Sequence, residues 1–589
     1  MFDSLTWKVG GTQGEGIDST GEIFATTLNR RGHYIFAYRH FMSLIKGGHT
    51  NFKVRVSTHK VGYHGDGLDV LIAFDQTTID HNWHELNEDA VLIYDASKLK
   101  KPVIPTDKPG VHLCPVPVTD MAKDVGSAIM KNMVACGVSA AIVGLSSDIF
   151  NTLIEERFEK KGEKVVASNK AAIQAGFDYA LEAYGVLKSV PAPASETDAG
   201  GHVYISGNEA VSMGALFAGC RLLAAYPITP ATEIMYWALA NWPKYGGKVV
   251  QAEDEIAACM MAIGANYAGT RAMTSTSGPG FSLMQEAIGL AGISETPLVV
   301  VDVMRGGPAT GLPTKTEQSD LNELLYGSHG EIPRIVLAPS TVEECFYYTI
   351  EAFNLAEQYQ CPVIVASDLF LGMSKQSLAL GDIDPDKVTI DRGALLSDDA
   401  LAELPARTYA RYKVTDSGVS PRAIPGQKNG MFTALSNEHG ESSPVEIEDP
   451  ETRVLMMDKR MKKLTTFDFG ERAYAYDGPV ETDITLAGFG STVSQMKEVA
   501  AVLRAQGVKV GVLTVKVLTP FPDAPVSDIL AGAGKIVVVE NNATGQFAAL
   551  LKQRVGFHSK MSSCLKYSGD PFTVQEILAH CAQVKGVAI

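Results

Sequence analysis

Cysteine is scarce in this chain and never paired. The eight cysteines in 589 residues are Cys114, Cys136, Cys220, Cys259, Cys345, Cys361, Cys564 and Cys581. No two have the two-residue spacing that suits zinc or iron–sulfur ligation. The spacing predicts buried, reduced thiols and no metal site on this chain, so an enzyme moving single electrons would carry its cluster on another polypeptide. Long hydrophobic runs are also missing. Stretches such as Pro297–Val301 are strand-sized, far short of a membrane span. The opening MFDSLTWKVGG has no basic segment followed by an apolar one, unlike a secretory signal. Positive charge is in deficit: 51 basic against 67 acidic residues give a net charge of −16. With no long basic run, the balance argues against nucleic acid or an anionic membrane as partner. The expectation is a soluble, cytoplasmic protein.

What is present is an ordinary globular composition, 46% hydrophobic and 20% charged, too long for one core. Three blocks separate. Residues 1–190 open with a strand at Leu5–Val9, a glycine turn (Gly10, Gly11, Gly14, Gly16) and a helix to about Arg31. Residues 191–200, PAPASETDAG, have the composition of a linker. Residues 201–410 alternate strands and helices: strands at Lys248–Gln251, Arg271–Thr276 and Leu298–Met304, helices at Glu255–Ala268 and Phe281–Gly292. That alternation implies a parallel sheet covered on both faces. From about Leu378 to Gly470 the chain turns loop-like and charged (DIDPDK, EIEDPETR), and residues 411–475 are expected to form an extended arm. Residues 476–589 again read as a small parallel α/β domain, with strands at Ile484–Ala487, Val508–Thr514 and Lys535–Val539. The fold class expected is α/β with three parallel-sheet domains.

Three motifs need weighing first. The glycine turn Gly11-x-x-Gly14-x-Gly16 lacks dinucleotide spacing, and the strand His33–Tyr38 ends at Arg39 and His40, not at a ribose-binding acid. A tight turn in a Rossmann-like scaffold fits better than an NAD site. Gly65-Asp66-Gly67 resembles the start of a magnesium–diphosphate motif, yet residues 91–97, VLIYDAS, hold no asparagine to complete the oxygen cage. Conversely, Asn541-Asn542 follows a strand but has no upstream GDG. The chain therefore lacks the diphosphate half of a thiamine site.

The most specific signal is the series Tyr226-Pro227-Ile228-Thr229-Pro230, then Gln251-Ala252-Glu253-Asp254-Glu255 at a helix start, then TSTSGPG and MRGGPATGLPTKTEQSD. The series closely resembles the thiamine diphosphate pyrimidine-binding domain of the 2-oxoacid:ferredoxin oxidoreductases. SGVSPRAIPG (Ser417–Gly426), AGFGS (Ala487–Ser491) and ENNATGQ (Glu540–Gln546) extend the likeness. The N-terminal block resembles the family's Rossmann-like gamma domain, a lid on the substrate pocket, fused ahead of the alpha chain. The last block resembles its transketolase C-terminal-like domain. The 2-oxoglutarate branch, the 2-oxoglutarate synthases, is the most similar.

The resemblance implies a shared site: thiamine diphosphate held jointly with a beta subunit that carries Mg²⁺ and a 4Fe-4S cluster, in an (αβ)₂ assembly. Coenzyme A would be the co-substrate, ferredoxin the electron partner and succinyl-CoA the product, or the reaction would run in reverse. It assigns Glu255 to the N1′ of the cofactor's aminopyrimidine, with Glu253 as fallback; the competing account is an acidic cluster that merely complements the helix dipole. It places Tyr226, Pro227, Ile228 and Thr229 against the cofactor, with the Thr229 hydroxyl on the substrate carboxylate. The rival reading of YPITP is a proline-stiffened strand exit. Arg305 would take the same carboxylate through two parallel hydrogen bonds, against a structural salt bridge. Ser43, Lys46 and His49 resemble the gamma-domain segment facing the pocket, where Lys46 would suit a second carboxylate; a solvated lysine before a glycine turn is the alternative. Rival functions are the same chemistry on pyruvate, a branched-chain oxoacid or indolepyruvate, a non-catalytic scaffold subunit, and an NAD-linked dehydrogenase.

Overall fold

The computed structural model describes residues 4–44, 48–191, 201–442 and 446–585. These gather into two compact units. The first runs to Ile205 and takes back Ser374–Ile383; the second comprises Ser206–Met373 and the described residues from Asp384 on. The fold is α/β, with three mostly parallel sheets.

The sheet of the first unit has eight strands in the spatial order His112–Val116, Leu86–Asp95, Leu68–Ala73, Ser4–Thr12, His49–Ser57, Tyr34–Phe41, Lys375–Ala379, His202–Ser206. The first four run parallel. Tyr34–Phe41 and His49–Ser57 are antiparallel to each other, because the short link between them allows a hairpin and not a crossover. Lys375–Ala379 then adds to Tyr34–Phe41, also antiparallel. The glycine turn after the first strand is structural: Gly14 and Gly16 adopt positive φ, and the Glu15 carboxylate between them is taken by Lys98 at 2.5 Å and Lys131 at 2.7 Å.

The second unit holds two sheets. One has seven strands, ordered Val517–Thr519, Ile335–Leu337, Pro362–Asp368, Leu298–Met304, Ala272–Thr276, Leu222–Ala225, Lys248–Gln251, all parallel except the first. The other has five, ordered Tyr474–Asp477, Val510–Val515, Thr482–Gly488, Ala533–Glu540, Met561–Leu565, again parallel except the first. A single apolar core joins them, running from Cys259, Phe281 and Met304 to Leu513, Val538 and Phe547. The stretch expected as one helix over 281–292 is two, Gly278–Leu283 and Gln285–Ile293.

The charged arm departs from the loop-like expectation. It contains a 13-residue helix, Pro450–Lys462, capped by Asp449, whose side chain accepts from the Thr452 N–H. Beside Met456, its buried residues are charged: Lys459 and Arg460. Lys459 donates to both oxygens of the fully buried Glu295 at 2.6 and 2.7 Å, and Lys463, one residue beyond the helix, reaches the same carboxylate at 2.6 Å. Arg411 donates to the Glu295 carbonyl at 2.7 Å, while Arg460 and Arg453 close on Glu438. Burial favours a neutral Glu295, yet Lys463, Lys459 and Arg411 hold its carboxyl down to about 2. A charged cluster thus fastens the arm where an apolar stripe would usually do so.

Candidate active site

The elements that hold Glu255, Thr229 and Arg305 all lie in the second unit. The strand Leu222–Ala225 leaves its sheet through Tyr226–Pro230 and enters the helix Thr232–Asn241. Two side chains fix this exit by its carbonyls: Asn208 donates to Pro230 at 3.0 Å and Arg305 donates to Thr229 at 2.7 Å. The neighbouring strand, Lys248–Gln251, runs into Asp254, which caps the helix Glu255–Tyr267 by accepting from the Ala257 N–H at 2.8 Å. That cap makes Glu255 the first helical residue and turns it inward.

Glu255 is only 6% exposed, and among the described residues its carboxylate has no hydrogen-bond or ion-pair partner. Glu253, two residues earlier, is exposed. The Glu255 side chain occupies a hollow that only glycine leaves open: a Cβ at Gly280 would lie 2.6 Å from its Cγ and 2.7 Å from its Oε1. An acid held at a helix start against Gly280 suits a group that presents a basic ring nitrogen, as the aminopyrimidine of thiamine diphosphate does.

Arg305 follows the strand Leu298–Met304 and is 7% exposed. One guanidinium nitrogen is spent on Thr229, while Nε is buried without a partner. Burial lowers its pKa and the nearby Asp320 opposes that. Arg305 lines a cavity of about 890 Å³ together with Gly278, Ser282, Glu317, Asp320 and Asn542. The structure thus joins Thr229 to Arg305 directly and sets Glu255 on Gly280. Tyr226 is 40% exposed beside them, with Pro227 and Ile228 half-buried.

The other predicted site residues lie in the first unit. Ser43 is exposed. His49 opens the strand His49–Ser57, packs edge-on against His81 at 5.1 Å, and has neither ring nitrogen bonded among the described residues. Burial lowers its pKa. Lys46 lies outside the described residues.

Several groups carry no role in the sequence reading. Asp302 stands within the strand Leu298–Met304 and is fully buried; an acid inside LVVVDVM is itself a signal, since a carboxylate there needs a reason. The family-like motifs of the last sheet also gain a function. Gln318 donates its backbone N–H to Asn541 at 2.6 Å and its side chain to Phe489 at 2.9 Å, and Asn542 returns a bond to the Gln318 carbonyl at 3.2 Å. Glu540 holds the turn itself, accepting from Asn542, Phe547 and Ala548. ENNATGQ and the strand end at Phe489 are therefore clamps on the loop that carries Glu317 and Asp320 to the cavity. Asp66 of the GDG triplet accepts from the Tyr63 hydroxyl.

A parallel α/β unit with an unpartnered acid at a helix start and a guanidinium at a strand end fits a thiamine diphosphate-binding domain. Comparison with known proteins agrees. The family described as "Pyruvate flavodoxin/ferredoxin oxidoreductase, thiamine diP-bdg" matches residues 213–459. "Pyruvate ferredoxin/flavodoxin oxidoreductase" matches 6–179, and "Pyruvate:ferredoxin oxidoreductase core domain II" matches 482–577. A 2-oxoacid:ferredoxin oxidoreductase subunit alpha from a Sulfolobus species is 32% identical, over 97% of this chain and 96% of its own. The 2-oxoglutarate oxidoreductase subunit KorA of Mycobacterium tuberculosis is 30% identical, over 98% and 91%. The solved 2-oxoglutarate:ferredoxin oxidoreductase of Magnetococcus marinus, with 2-oxoglutarate, coenzyme A and succinyl-CoA bound, superposes with a TM-score of 0.91 at 35% identity, covering 99% of this chain and all of that one. The chain belongs to the 2-oxoacid:ferredoxin oxidoreductase alpha-subunit family. As an alpha subunit it implies a partner chain, and among the described residues no helix is long and apolar enough to cross a membrane.

Proposed function

We propose that this chain is the alpha subunit of a thiamine diphosphate-dependent enzyme that converts 2-oxoglutarate, coenzyme A and oxidised ferredoxin to succinyl-CoA, CO₂ and reduced ferredoxin, or the reverse. The observation that carries the reading is Glu255: an acid buried at a helix start, without a partner, in a hollow kept open by Gly280. When bound, thiamine diphosphate supplies the nucleophilic carbon and the electron sink that decarboxylation needs. Glu255 holds a proton at the N1′ of the aminopyrimidine. The segment Tyr226–Thr229 shapes the wall on which that ring rests. Arg305, with Nε unspent, and the Thr229 hydroxyl grip the carboxylate beside the keto group; a guanidinium suits this planar anion. Lys46, with Ser43 and His49, takes the distal carboxylate.

The diphosphate, Mg²⁺ and a 4Fe-4S cluster belong to a beta subunit in an (αβ)₂ assembly, a division supported by the missing GDG…N motif and by eight free, buried cysteines. The choice of 2-oxoglutarate is supported by full-length likeness to a structure that contains it. Pyruvate is the second reading, because the matching family descriptions name it.

Co-expression with the candidate beta subunit tests the function. The complex, and not the isolated chain, is expected to reduce a one-electron acceptor with 2-oxoglutarate and coenzyme A. Lys46→Ala is expected to raise KM for 2-oxoglutarate selectively. An equal loss for all oxoacids would sink the substrate assignment while leaving the chemistry standing.

A further inference from the structure

Two side chains, not one, border the hollow at Gly280. A Cβ there would lie 2.6 Å from the Glu255 Cγ, 2.7 Å from its Oε1, and only 2.1 Å from the Oγ1 of Thr276. The acid and the hydroxyl therefore meet at the space left by one missing methyl group. Both residues are buried, Thr276 completely. They arrive from different elements: Glu255 opens the helix Glu255–Tyr267, while Thr276 ends the strand Ala272–Thr276.

A hydroxyl is not what this strand needs for its own stability. Ala272–Thr276 is buried along its whole length, between the parallel strands Leu222–Ala225 and Leu298–Met304. Strands in such a place are usually apolar, and Leu298–Met304 follows that rule at every position but Asp302. The run Thr274-Ser275-Thr276-Ser277 instead puts four hydroxyls in the interior. Those of Thr274, Ser275 and Ser277 are unpaired among the described residues. Thr276 donates to the Ser277 carbonyl at 3.3 Å, long beside the usual O–H···O distance of about 2.7–2.8 Å. Asp302, its register partner on the next strand, takes no bond from it. A buried hydroxyl so weakly used is a cost that valine would avoid. The group that Thr276 has within reach, and has not yet engaged, is Glu255.

We propose that Thr276 is a positioning residue for Glu255: with the cofactor bound, its hydroxyl donates to one carboxylate oxygen and leaves the other facing the N1′ of the aminopyrimidine. The inference rests on the reading of Glu255 as the acid at N1′. Rotation of the hydroxyl proton about its own C–O bond is the only movement this asks of Thr276. The last torsion of a glutamate is broad, so a carboxylate held by nothing turns easily. Fixing one oxygen removes that freedom and presents the other in a set direction, which is preorganisation. Gly280 belongs to the same device, since any larger residue would push its methyl group between the two side chains.

The test is calorimetric titration of the cofactor-free αβ enzyme with thiamine diphosphate and with an analogue that has carbon in place of N1′. The wild type is expected to prefer the cofactor by about 10–100-fold, the worth of a hydrogen bond to a charged group. Thr276→Val keeps the shape and loses the hydroxyl; it is expected to cut that preference about fivefold, as loss of one typical hydrogen bond does. Thr276→Ser is expected to retain it. A merely structural threonine would weaken both ligands alike, so an undiminished preference in Thr276→Val overturns the proposal. Loss of the preference in Thr276→Ser, to the level of Thr276→Val, overturns it as well. If Thr276→Val fails to assemble, Gly280→Ala takes its place, and an undiminished preference there counts against the proposal in the same way. A wild type that does not distinguish the two ligands refutes the reading of Glu255, and this inference with it.

Discussion

Glu295 and Asp302 are both fully buried in the second unit, and the fold treats them in opposite ways. Glu295 receives two lysines at 2.6–2.7 Å and ties down the charged arm. Asp302 receives nothing, and its neighbour Asp320 is left with an unpaired oxygen and an arginine that bonds elsewhere. Burial alone does not tell a structural charge from a functional one; the count of partners does. A satisfied cluster is spent on holding the chain together, while an unsatisfied one keeps its bonding capacity for something that arrives later. Glu255 falls on the unsatisfied side.

Substitutions that remove charge while keeping shape put this contrast under strain. Glu255→Gln is expected to lower turnover of the assembled enzyme by about 10²–10⁴-fold, the usual contribution of a proton-holding group, with no loss of folded stability. Full activity in that variant would dissolve the contrast. Glu295→Gln is expected to do the reverse: about 3–5 kcal/mol of stability lost, read from urea unfolding, because Lys459 and Lys463 would remain buried without their anion. Activity of the surviving folded fraction should be near normal. The same centre sets a response to acid. The folded carboxyl sits near 2, below its ordinary 4.5, so the stability it contributes is complete above about pH 4.5 and lost as pH falls toward about 2. Circular dichroism of the wild type and Glu295→Gln over that range would show the difference. The smallest effect is expected from Arg305→Lys, which keeps the charge but cannot offer a planar fork: about tenfold in kcat/KM, borne mostly by KM.

The same contrast explains how far the sequence could be read. The strands Lys248–Gln251 and Leu298–Met304 are legible to the residue, since short apolar runs bounded by turns leave little choice. So is the place of Glu255 at the head of its helix, announced by the acidic cluster before a buried run. The arm helix Pro450–Lys462 is not legible, because Lys459 and Arg460 occupy inward positions that a helix usually gives to leucine, and no apolar stripe remains to find. The antiparallel strands of the first sheet escape for a different reason. Strand direction depends on the link between strands, and the hydrophobic pattern of Tyr34–Phe41 is the same either way. The Asp320 side chain belongs to neither case: its setting arises from Gly278, 42 positions earlier, and only folding brings the two together.

The strand Lys375–Ala379 has a consequence for how the molecule is made. It completes the edge of Tyr34–Phe41, yet it leaves the ribosome more than 300 residues later. At about 5–20 residues per second, the nascent first unit exposes an unpaired strand edge for roughly 15–70 s. Such an edge invites pairing with any other strand in reach. Synthesis of this chain therefore has a vulnerable interval written into its topology, one that ends only when the ten-residue segment Ser374–Ile383 emerges after the strand Pro362–Asp368 of the second unit.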